Sequence, residues 1–149
     1  MKKILFVCTG NTCRSPMAEC LFNHLAQEQG LPYCAESAGI YANAGSPASD
    51  GAHAAMKSRG LSLLRHQAQP LSEALLKEAF LVVAMTPNHA EACKERFPAL
   101  STPIRSFSPP IPDPFGGSTA VYQYTAQALE TQIIPLLKEL VPPPTLANP

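Results

Sequence analysis

Short apolar runs alternate along this chain with longer stretches of helical period. Residues 3–8 hold Ile4, Leu5, Phe6, Val7 and Cys8 in unbroken succession, as expected of a strand buried on both faces. Residues 9–14 are polar and include Gly10, so they predict a turn. Ser15-Pro16 then reads as a helix start, with a hydroxyl at or near the N-cap and proline at the first helical position. Met17, Ala18, Leu21 and Leu25 give that helix one apolar face, and Gly30 ends it. A second strand falls within residues 31–38 and breaks at Gly39. Residues 47–59 predict a second helix with Ala52, Ala55 and Met56 facing inward, and residues 71–77 a short third one. Residues 79–85 (AFLVVAM) form the clearest later strand, and Thr86-Pro87 opens a helix to about Phe97. A fourth strand is expected at 103–107 and a Pro/Gly-rich loop at 108–117. A long amphipathic helix follows at 118–140, interrupted or bent near Pro135.

Strands alternating with helices in this way imply an α/β fold. The expectation is a central parallel, four-stranded twisted sheet with helices on both faces and right-handed connections. Ligands bind beyond the carboxyl ends of the strands in such sheets, which points to the loop after the first strand. The 149 residues suit one domain over 1–140, followed by a Pro-rich tail at 141–149.

Composition narrows the field. Apolar residues make up 46% and charged residues 15%, which excludes a disordered chain. Eleven basic against 11 acidic side chains give no footprint for nucleic acid and no basic patch for a membrane surface. The N-terminal apolar run stops at Cys8, too short for a signal segment or a membrane span, so a cytoplasmic protein is expected. Five cysteines, an odd number, fit reactive or buried thiols better than structural disulfides.

The segment from Cys8 to Pro16 reads Cys-Thr-Gly-Asn-Thr-Cys-Arg-Ser-Pro. A cysteine ends the strand, five residues follow, and Arg14 stands at the head of the helix. A loop of that length, Thr9, Gly10, Asn11, Thr12 and Cys13 with Ser15 beyond, can turn successive N–H groups inward as an anion nest. The helix N-terminus adds further donors and partial positive charge. Gly10 gives backbone freedom, and Asn11 tolerates a left-handed conformation. Arg14 brings a planar fork that takes two phosphate oxygens at once. The same field favours a thiolate at Cys8 facing a bound phosphoryl group, and Ser15 is placed to donate to that sulfur. No metal and no cofactor are expected, because the nest and Arg14 already supply positive charge. Phosphoryl transfer to sulfur also needs a proton for the leaving atom. Of the two aspartates, Asp50 and Asp113, the latter lies between two prolines and ahead of Phe115-Gly116-Gly117, on a stiff segment able to reach over a site.

The loop resembles the signature of the low-molecular-weight protein tyrosine phosphatase family, Cys-x-Gly-Asn-x-Cys-Arg-Ser-Pro near the N-terminus, and the resemblance extends over about residues 2–140. Ser37-Ala38-Gly39, His66 and Asp113-Pro114 also fit. The resemblance implies a phosphatase acting on phosphorylated proteins through a phosphocysteine. Cys8 would be its nucleophile, Arg14 its phosphate clamp and Asp113 its general acid. Asn11, Ser37 and His66 would support the loop. It also implies a reversible Cys8–Cys13 disulfide, for which a loop-packing role of Cys13 is the alternative. Thr12, where tyrosine-specific relatives carry a bulky aliphatic residue, and Phe115 followed by two glycines resemble the protein-arginine-phosphatase branch. These two residues are therefore the expected determinants of specificity, with phosphoarginine the expected substrate and phosphotyrosine the alternative. Two remoter alternatives are a thioredoxin-coupled arsenate reductase, which needs a relay of late cysteines where only Cys93 stands, and a phosphoprotein-binding module without turnover.

Overall fold

The N-terminal apolar run forms β1 (Lys2–Cys8), and its alternation decides what it buries. Ile4, Phe6 and Cys8 enter one core cluster, while Leu5 and Val7 enter another on the opposite face. A computed structural model describes residues 1–141; the Pro-rich tail, Val141 apart, lies outside the described residues. Along the chain follow α1 (Arg14–Glu28), β2 (Tyr33–Gly39), α2 (Asp50–Lys57), α3 (Glu73–Glu78), β3 (Leu81–Ala84), α4 (Pro87–Arg96), β4 (Ile104–Ser106) and α5 (Thr119–Leu140). The four strands are parallel in the order β2-β1-β3-β4. Helices α1, α2 and α5 cover the face that holds Phe6, and α3 and α4 cover the face that holds Val7. The expected fold class is therefore the observed one.

The topology fixes where a ligand can go. The chain leaves β1 for β2 on one side and later returns to place β3 on the other. The carboxyl end of β1 is thus the point where the winding reverses, and the crevice of an open parallel sheet lies there.

Local hydrogen bonds explain where elements begin differently from the hydrophobic pattern. Ser49 accepts from the Ala52 N–H, so α2 starts at Asp50 and not at Pro47. Ser72 accepts from the Leu75 N–H, and Leu71 instead gives its N–H to Gly39 O. Gly39 closes β2 from within and does not break it. Helix α1 begins at Arg14 with Cys13 at the N-cap and no side-chain cap. Pro16 is accordingly the third helical residue, and the Ser15 hydroxyl serves the loop, not the helix end. Helix α5 runs unbroken through Pro135, whose neighbours Ile133, Leu136 and Leu137 are buried. Packing along that face outweighs the one backbone hydrogen bond that proline removes.

Candidate active site

The residues after β1 curl back over its end. The Ile40 and Tyr41 N–H groups donate to Cys8 O and Thr9 O, both at 2.9 Å, so the exit of β2 anchors the loop's first turn. Asn11 is the only non-glycine residue with positive φ (57°) among the described residues. The left-handed step therefore falls on Asn11, where a carboxamide can stabilise it. Gly10 adopts no positive φ, which corrects the expectation that its freedom makes the curl. A Cβ there would meet only the Thr12 hydroxyl at 3.8 Å, and Gly10 serves instead as bare floor of the cleft.

Asn11 is fully buried and spends its whole side chain on holding the loop. Its Nδ2 donates to Ser15 Oγ at 2.8 Å and to Ser37 Oγ at 2.9 Å, and its Oδ1 accepts the Gln69 N–H at 2.9 Å. His66 Nε2 reaches Asn11 O at 2.7 Å. Burial lowers the His66 pKa, so the ring is neutral at pH 7 and donates from Nε2. The structure thus gathers the three residues Asn11, Ser37 and His66, far apart in the chain, into one network.

Two further members are absent from the sequence-based expectation. Glu19 accepts from Ser37 Oγ at 2.7 Å, and Gln69 Nε2 donates to Ser37 O at 2.9 Å. Burial raises the Glu19 pKa, against the opposing hydrogen bond from Ser37. One signal could have found it: Glu19 stands four residues after Ser15, on the helix face turned toward the loop.

Proton directions follow. Ser15 Oγ already accepts from Asn11, so its own hydrogen is available to Cys8 Sγ, 2.9 Å away. The Asn11 N–H also points at that sulfur, at 3.3 Å. The sulfur therefore faces two donors, an environment suited to an anion.

Arg14 is buried and held by Ile111 O at 3.1 Å from Nη1, while Nη2 lies 3.9 Å from Asp113 Oδ2. Asp113 also accepts the Phe115 N–H at 3.1 Å, a local turn that fixes its carboxylate beside the cleft. Cys8, Thr9, Gly10, Thr12, Cys13, Arg14, Asp113 and Phe115 line a cleft of about 250 Å³. Cys13 is a free thiol that packs against the Ser49 hydroxyl at 3.2 Å and the Tyr122 hydroxyl at 3.3 Å.

At Gly39 the sheet and the loop leave no room for a side chain. A Cβ there would lie 2.6 Å from Thr9 O and 2.9 Å from Asn11 N, both backbone atoms that cannot step aside. Gly39→Ala is expected to lower unfolding free energy by about 1–3 kcal/mol and to weaken phosphate binding at the same time. Urea denaturation and phosphate titration of the variant measure both; an unchanged affinity would show that the loop does not lean on Gly39.

A parallel sheet with a cysteine at the reversal point of its winding, a loop curled over it and a buried arginine beside it has the arrangement of a cysteine-dependent phosphatase. Known proteins agree. Residues 3–142 match the family model described as low molecular weight phosphotyrosine protein phosphatase. A protein-arginine-phosphatase of Bacillus subtilis is 38% identical over 144 residues, covering 92% of this chain and 95% of that protein. A low molecular weight protein tyrosine phosphatase from T. tengcongensis superposes with a TM-score of 0.90 at 37% identity, covering 93% of this chain and 99% of its own. A YwlE arginine phosphatase, solved as a Cys-to-Ser mutant with a phosphorylated active-site serine, gives a TM-score of 0.89 at 36% identity, covering 93% of this chain and 95% of its own. The chain belongs to the low molecular weight phosphotyrosine protein phosphatase family.

Proposed function

We propose that this phosphatase hydrolyses phosphoarginine in proteins through a phosphocysteine on Cys8. In the first step the Cys8 thiolate attacks phosphorus in line and the P–N bond breaks. The loop N–H groups and Arg14 take the charge on the equatorial oxygens. Asp113 gives its proton to the departing guanidine nitrogen. In the second step the Asp113 carboxylate takes a proton from water, the water oxygen attacks phosphorus, and the P–S bond breaks. Ser15 donates to the sulfur as it regains negative charge. Phosphate leaves and Asp113 is protonated again for the next cycle. A thiolate nucleophile fits the reducing cytoplasm. Among the described residues no helix is long and apolar enough to cross a membrane.

The observation that carries the choice of substrate is the polar rim made by Thr12 and Asp113 in the cleft. A phosphoguanidinium brings N–H donors that need acceptors, and a threonine hydroxyl and a carboxylate supply them. An isoleucine at position 12 would leave a donor unpaired at a cost of about 1–3 kcal/mol. Phe115, 77% exposed at the cleft, is a ring on which a guanidinium plane can stack. That same exposed ring could flank a phenol, and the T. tengcongensis relative bears the name of a tyrosine phosphatase; phosphotyrosine is therefore the second reading. Phosphoarginine and phosphotyrosine peptides assayed side by side decide between them. The wild type is expected to favour phosphoarginine, and Thr12→Ile to move the kcat/KM ratio about tenfold or more toward phosphotyrosine. The same ratio in both proteins would remove Thr12 from the argument, and a wild-type preference for phosphotyrosine would replace the reading.

A further inference from the structure

Helix α4 meets the phosphate loop through a side chain that the mechanism leaves unused. His89 is 9% exposed, with Nε2 2.8 Å from Thr9 Oγ1 and Nδ1 2.8 Å from Thr86 Oγ1. Thr86 Oγ1 is also the N-cap of α4, accepting the His89 N–H at 3.3 Å.

These three contacts favour one direction for the protons between them. A hydroxyl has one hydrogen, and among the described residues His89 Nδ1 is the one acceptor in reach of Thr86 Oγ1. With a hydrogen on Nδ1 the Thr86 hydroxyl hydrogen would have no acceptor among the described residues, so the favoured arrangement has Thr86 donating to Nδ1 and the neutral ring carrying its hydrogen on Nε2. The ring is neutral at pH 7: burial, then the nearby charge of Arg14, bring its pKa down to about 4 against the opposing pull of Asp113. Nε2–H donates to Thr9 Oγ1. Thr9 keeps its own hydrogen and one free lone pair, and it stands in the wall of the cleft with Thr12, Asp113 and Phe115. A threonine side chain exposed at a cleft rim would otherwise exchange rotamers.

We propose that His89 is a positioning residue for substrate selection: it holds the Thr9 hydroxyl as a second polar wall, whose free lone pair accepts an N–H of the phosphoguanidinium group opposite Thr12. This rests on the phosphoarginine reading. The Thr9 backbone serves the phosphate whatever the leaving group, but its fixed hydroxyl serves only a leaving group rich in N–H donors.

The test has two parts. On the wild type, long-range ¹H–¹⁵N correlation of the histidine rings at pH 7 is expected to show His89 protonated on Nε2 and bare on Nδ1; the opposite tautomer overturns the proposal. On variants, His89→Leu is expected to lower the ratio of phosphoarginine to phosphotyrosine kcat/KM about tenfold, mainly through KM on phosphoarginine. His89→Gln, which carries an N–H donor near the place of Nε2, is expected to restore most of that ratio. Thr9→Val in the His89→Leu background is expected to add little, because both changes remove the same contact. Equal losses on the two substrates would make His89 a structural residue and overturn the inference while leaving the phosphoarginine reading intact. Failure of the wild type to hydrolyse phosphoarginine would overturn both.

Discussion

Cys8→Ser is expected to abolish turnover, with kcat falling by about five orders of magnitude or to below detection. The loop amides, Arg14 and Asp113 all stay in place, so the loss isolates the nucleophile. A serine hydroxyl in this nest remains protonated at neutral pH, and no base is set beside it to take the proton. The nearest hydroxyl, Ser15 Oγ at 2.9 Å from the sulfur, is turned to donate and not to accept. Phosphate affinity is expected to stay within a fewfold of wild type, because Ser37 and Gln69 hold the Asn11 side chain from behind and neither touches the sulfur. Hydrolysis of an aryl phosphate and titration with inorganic phosphate make the two measurements. Turnover near the wild-type rate would rule out Cys8 as nucleophile; lost phosphate binding would mean that the sulfur helps build the nest.

Asp113→Asn is the second large effect, with kcat on phosphoarginine peptides falling by about 10²–10⁴-fold. The substitution is conservative in shape. A carboxamide oxygen can still accept the Phe115 N–H that Oδ1 accepts at 3.1 Å, so the loop keeps its turn. What disappears is the proton for the leaving nitrogen and the base for the attacking water. The loss should therefore depend on the leaving group. A nitrophenolate departs without help, and its first step is expected to suffer least; its phosphoenzyme should then accumulate, because the second step still lacks a base. A burst of nitrophenol followed by a slow steady state would be the signature. A uniform loss across leaving groups would move Asp113 from acid to a purely electrostatic role beside Arg14, 3.9 Å away.

Much of this was legible in the sequence, and the reasons are physical. β1 could be read because five apolar residues in a row suit a strand covered on both faces, and its two faces do enter two different core clusters. The loop could be read because its chemistry is local: cysteine, arginine and the bend at Asn11 all lie within one turn of chain. Local rules failed where distant groups compete for a hydrogen bond. Ser15 has the look of a helix cap, yet Cys8 and Asn11 claim its hydroxyl. Gly39 has the look of a strand breaker, yet it pairs in register with Cys8 at the end of β1. Gln69 joins the network only because the sheet brings β2 beside β1, and no spacing along the chain announces that. The Thr9–His89 contact spans 80 residues and depends on β3 lying on the other side of β1.

Gly39 exchanges backbone hydrogen bonds with Gln69 and Leu71, and Gln69 in turn holds Asn11. The stretch from His66 to Leu71 is thereby clamped between sheet edge and phosphate loop. The loop cannot open by itself; opening it means peeling β2 from the molecule, so it shares the protection of the sheet and does not form a separate unit of local unfolding. Residues inside the clamp cannot vary without loosening the fold, whereas the Phe115 ring is largely exposed and the Thr12 hydroxyl has, among the described residues, one hydrogen-bonding contact, the Cys13 sulfur at 3.8 Å. In such an architecture a substitution in the clamp is expected to cost stability and phosphate binding together, and one at the rim to leave both in place.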